Sequence, residues 1–98
     1  MKKIDITEKL NFEENPRIVI KGTEYEVNAD APTMLKIMGM LGDGKDISPN
    51  DVISMYEMIF QKKERDKIDK LKLQFKDFET VVYAAISLIT GENEAQGE

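Results

Sequence analysis

From Arg17 to Asn28 the chain changes its pattern in a way that fixes one element. Ile18, Val19 and Ile20 run into Lys21-Gly22, after which Tyr25 and Val27 alternate with Glu24 and Glu26. Two β-rich runs around a glycine-containing turn predict a hairpin, with Tyr25 and Val27 inward and the glutamates facing water. A lone hairpin is marginal in water, so it must pack on helices or pair with another strand. Upstream, Ile4 and Ile6 flank Asp5, a period of two that predicts a short N-terminal strand. Leu10 and Phe12 are isolated anchors, and Pro16, which has no N–H to donate, marks the start of the hairpin.

Beyond the hairpin the apolar period lengthens to that of helices. Ala31–Gly42, APTMLKIMGMLG, predicts a short helix with Pro32 in its first turn. Met34, Leu35, Ile37, Met38, Met40 and Leu41 leave only Thr33, Lys36 and Gly39 as its non-apolar positions, more hydrophobic surface than a small core needs. Such a helix is either a central one wrapped by its neighbours or one that meets another polypeptide. Its methionines favour the second reading, because flexible thioethers repack around partners. Ser48-Pro49-Asn50-Asp51 predicts the next helix start, with Ser48 as cap, Pro49 in the first position and Asp51 closing a capping box. Val52, Ile53, Tyr56, Ile59 and Phe60 form its apolar stripe, flanked by Met55 and Met58. Ile68 and Leu71 carry helical spacing through the following charged segment. The last helix spans about Phe75 to Thr90, with Phe78, Val81, Val82, Ala85, Ile86 and Ile89 on one face and Gly91 as a natural terminator.

These elements predict an α+β fold: one mostly helical domain over residues 1–91, an N-terminal β-hairpin packed on about four α-helices. Residues 92–98, ENEAQGE, have nothing to bury and are expected to be a disordered tail. The expected core is Ile18, Ile20, Tyr25, Val27, Tyr56, Ile59, Phe60, Phe78, Val82 and Ile89. At 98 residues the chain suffices for one domain. No apolar run approaches the roughly 20 residues that span a bilayer, and MKKIDITEKL lacks the apolar stretch of a secretory signal.

Charge narrows the function classes. The net charge of −5 argues against general nucleic-acid binding, which needs cations to neutralise phosphates. Its distribution is uneven: Gln61–Lys72 holds six basic and three acidic residues, a local +3 that leaves −8 on the remainder. Such a strip is most simply a solvated helix face with weak ion pairs. It also suits the acidic face of another copy, or nucleic acid.

Little in the chain points to catalysis. The absence of histidine and cysteine removes zinc ligation and imidazole or thiol chemistry, and no cofactor is expected. Gly39–Lys45 matches the spacing of a phosphate-binding loop, but Asp46 stands where a hydroxyl should hold Mg²⁺, and the glycines end a helix rather than follow a strand. Asp43, Asp46 and Asp51 lack the spacing of an EF-hand. The pairs Glu13-Glu14 and Glu24/Glu26 are expected to be solvated, with ordinary acidity. No enzyme is expected.

The order NFEENPRIVIKGTEYEVNADAPTMLKIMGMLGD, DVISMYEMIF and FKDFETVVYAAISLITGE resembles the small tail assembly chaperones of long-tailed, non-contractile bacteriophages of Gram-positive hosts. The resemblance covers roughly Ile4–Glu92 and rests on overall pattern, not on a catalytic signature. It implies a protein of the host cytoplasm that keeps the long, apolar tape-measure protein soluble. It also implies that the protein promotes assembly of tail-tube subunits around that client, and is absent from the finished virion. A longer, frameshifted form would recruit the tube protein, and copies would self-associate. Helix-in-groove contact is the natural mode for such a holdase. The candidate contact residues are Met34, Ile37, Met38, Met40, Met55 and Met58. The competing expectation is a small regulator that binds protein or DNA through its helices, with Ser48–Leu73 read as a helix-turn-helix.

Overall fold

The computed structural model describes residues 1–42 and 47–91. A two-stranded antiparallel hairpin, β1 (Arg17–Ile20) and β2 (Thr23–Glu26), precedes α1 (Ala31–Leu41), α2 (Pro49–Ile59), α3 (Lys62–Lys70) and α4 (Phe75–Thr90). This is the α+β layout that the sequence predicts. Gly39 of the phosphate-loop spacing lies within α1 and Gly42 caps it, while residues 43–46, Gly44 and Lys45 of that spacing among them, and the expected tail at 92–98 lie outside the described residues.

The hairpin register pairs Arg17 with Glu26, Ile18 with Tyr25, Val19 with Glu24 and Ile20 with Thr23. Lys21 and Gly22 both take positive φ, 50° and 82°. That is the backbone of a type I′ turn, whose twist matches the strands it joins. The expected N-terminal strand does not form. Residues 1–14 are all exposed, and their one regular feature is a 3₁₀ turn at Thr7–Lys9. Alternation alone makes no strand without a neighbour to accept its hydrogen bonds, and Asp5 instead takes the Thr7 N–H and hydroxyl at 3.0 and 2.6 Å.

The starts of α1 and α2 are both capped. Asp30 accepts from the Thr33 N–H at 3.1 Å and from its hydroxyl at 2.9 Å, which holds the Asp30 carboxyl below its ordinary acidity range. Ser48 and Asp51 form the expected capping box, each side chain accepting the other's N–H at 3.1 Å. At the end of α3, Lys72 adopts the left-handed region at φ 55°, and Gly91 does so after α4 at φ 75°.

The core lies where α2 meets α4, α1 and α3. Tyr25, Val27, Ile37, Val52, Met55, Tyr56, Ile59, Phe60, Ile68, Val82, Ala85, Ile86 and Ile89 are buried there. Ile18, Ile20 and Phe78, expected in the core, pack against it half-buried. Ile53, expected in the α2 stripe, is exposed, whereas Met55, expected only to flank it, is wholly buried. Both α3 and α4 meet α2 on its Tyr56 side, through Asp69 and the Arg65 carbonyl and through the Phe78 ring, while Ile53 faces outward. The central helix is therefore α2 and not α1, whose only buried residue is Ile37.

The C-terminus of α2 joins the hairpin to the helices. The backbone N–H of Asn28 donates to the Ile59 carbonyl at 2.8 Å, and its side-chain amide donates to the Met58 carbonyl at 3.0 Å. Arg65 Nη1 donates to the carbonyls of Glu57 at 3.1 Å and Phe60 at 2.7 Å. Carbonyls at the end of α2 are thus taken up by the Arg65 side chain and by the backbone and side chain of Asn28.

Candidate functional site

Capping by Asp30 and Pro32 starts α1 directly after the hairpin, and burial of Ile37 fixes its rotation. With Ile37 inward, Met34, Met40 and Leu41 sit half-buried at the margins. The opposite side is turned outward. It carries Leu35, Met38 (47% exposed) and Gly39, with Lys36 as the helix's single charged residue. On an outer face, where charged residues normally predominate, this leaves an apolar strip flanked by flexible thioethers.

The six candidate contact residues therefore divide. Met38 is exposed, and Met34, Met40 and Met58 are half-buried. Ile37 and Met55 are both 0% exposed, so neither presents atoms to a partner in this fold. Helical spacing located the apolar residues of α1 and α2 correctly. It left the inward arc of α1 open and misplaced Ile53 in that of α2, because the arc depends on neighbours far along the chain. Leu35 was missed as a contact residue: its i, i+3 relation to Met38 is in the sequence, but only the burial of Ile37 turns that pair outward. Other exposed apolar side chains are distributed along residues 4–12 and at Ile53, Phe75 and Leu88.

The basic strip is α3, and much of its charge is engaged within the molecule. Lys62 Nζ lies 3.1 Å from Asp66, and Arg65 is held on the end of α2. Lys67 Nζ is 3.1 Å from Glu64 Oε1 and 5.0 Å from the centre of the Tyr25 ring. Glu64 itself is buried at the first turn of α3, where the helix N-terminus favours a carboxylate. Its Oε1 has no well-directed hydrogen-bond donor, so Lys67 meets it as an ion pair only. Lys63 and Lys70 are exposed on the same flank as Lys67.

The acidic pairs are dispersed. Glu14 and Glu24 both lie near Arg17, at 3.6 and 3.5 Å, and Glu26 accepts from the Asn15 side chain at 2.8 Å. Among the described residues no three acidic side chains come together as a metal site, and no helix is long and apolar enough to cross a membrane. Tyr56, under α3, donates its one hydroxyl hydrogen to Asp69 at 2.7 Å, with the Arg65 carbonyl 3.1 Å from the same oxygen. Burial, then the Asp69 hydrogen bond, push its phenol well above the ordinary value. That hydroxyl ties α2 to α3, with the ring edge-on to Phe78 at 4.7 Å. No protein-family model, no curated protein and no solved structure matches this chain.

Proposed function

We propose that this chain is a non-enzymatic tail assembly chaperone of a long-tailed phage, acting in the host cytoplasm on the tape-measure protein. The observation that carries the reading is the outward strip of α1: Leu35, Met38 and Gly39 between half-buried Met34 and Met40, with Lys36 the one charge on the helix. A coiled-coil-prone client exposes long apolar stripes before assembly. A short helix offering adaptable apolar atoms can cover such a stripe and later release it. Several copies along one client would add their weak contacts by multivalency. The tail-tube protein, reached through a longer form of the chain, is the second partner of this proposal.

The test is co-expression with the tape-measure protein encoded in the same genome. The native chain should keep the client soluble and co-purify with it. Leu35→Lys with Met38→Lys, both at exposed positions, should abolish co-purification while circular dichroism stays unchanged. A client that remains insoluble beside the native chain and a longer form of it would overturn the proposal. Salt-sensitive binding to duplex DNA would instead support a regulator acting through α3.

A further inference from the structure

Two features of the fold lack a counterpart within the chain, and they match each other. The first is the N-terminal segment. Every residue from 1 to 14 is exposed, yet Ile4 and Ile6, then Leu10 and Phe12, recur two apart; Ile4 and Phe12 are each 78% exposed. The second is the hairpin edge. Only β1 and β2 pair among the described residues, and two strands fall short of the three that usually make a sheet self-sufficient.

Hydrogen bonding decides which groups that edge presents. A two-residue turn closes on a bonded pair at Ile20 and Thr23, and the Val27 N–H donating to the Pro16 carbonyl at 2.9 Å continues the same alternation. The N–H and C=O groups of Arg17 and Val19 therefore point away from β2, toward the open side. On the inward face, Ile18 and Ile20 remain half-buried.

We propose that the N-terminal segment of one copy adds as a third strand to the β1 edge of a second copy, with Ile4 and Ile6 closing over Ile18 and Ile20. Charge agrees with the pairing. Residues 2–9 carry Lys2, Lys3 and Lys9 against Asp5 and Glu8, whereas residues 13–26 carry four glutamates against Arg17 and Lys21. The exchange is placed between chains because within the single chain residues 1–14 stay exposed and leave their own β1 edge unpaired.

The inference is independent of any client, so its test uses the full chain alone. Sedimentation over a dilution series should show reversible self-association. Ile4→Asp with Ile6→Asp should weaken it at least about tenfold with unchanged thermal unfolding, since both side chains are exposed. Val19→Pro, which removes an outward N–H, should act in the same direction. The chain has no cysteine, so oxidising a mixture of Asp5→Cys and Val19→Cys chains, whose cysteines would face each other on the outer side of the new strand pair, should yield a linked species of twice the 11.2 kDa chain mass. Overturning results would be a monomer at every concentration, association untouched by the aspartates, or a link confined within single chains carrying both cysteines.

Discussion

At the scale of single residues, Tyr56 shows how one polar atom organises a core. Its ring is buried between Phe60 and Phe78, while its hydroxyl reaches Asp69 and the Arg65 carbonyl on α3. A phenol whose acidity is weakened by folding leaves stability intact below the ordinary value of 10.0. Stability is then lost as pH rises, because the unfolded chain ionises first. Alkaline unfolding monitored by circular dichroism should therefore steepen above pH 10.0 in the native chain. Tyr56→Phe should flatten that slope. At neutral pH the same substitution should cost about 1 kcal/mol, the usual net worth of an intramolecular hydrogen bond, because the exposed Asp69 regains water when the hydroxyl is removed.

At the scale of elements, the joint between hairpin and helices rests on Asn28. Its backbone and side-chain amides occupy two carbonyls at the end of α2, a segment thirty residues away. Asn28→Ala should destabilise the fold by about 1–2 kcal/mol in urea unfolding, since a half-buried carbonyl loses its donor. Asn28→Asp, which keeps the shape and loses the donor, should cost at least as much. Whatever is local was legible in the sequence. Ser48, Pro49 and Asp51 announce the start of α2 within four residues, and Gly22 and Gly91 mark a turn and a helix end. What depended on distant partners was not. Nothing near Asn28 reveals the Met58 and Ile59 carbonyls, and nothing within α2 says that Met55 and not Ile53 faces inward. The Ile4–Ile6 alternation was read as a strand because the pattern is right, while the chain supplies no neighbour for it. The outward strip on α1 was half legible: its composition was plain, but its orientation followed only from Ile37.

At the scale of the whole molecule, burial is uneven. Four buried residues from each of α2 and α4 anchor the core, whereas α1 contributes Ile37 alone and residues 1–14 contribute none. Local opening follows such differences in buried contact. Amide hydrogen exchange should therefore be slowest in the middle of α2 and α4, faster in α1, and fastest before Asn15. A uniform exchange rate across all four helices would show that the apolar strip of α1 is covered in solution. The Asn28 joint has one more consequence, in the order of synthesis. The hairpin emerges from the ribosome ahead of the segment that carries the Met58 and Ile59 carbonyls, so it is exposed before its docking point is. Until α2 follows, Tyr25, Val27 and α1 lack the helix at the centre of the core and stay open to solvent. A protein proposed to shelter the apolar stripes of another chain passes its own early moments in the same unsheltered condition.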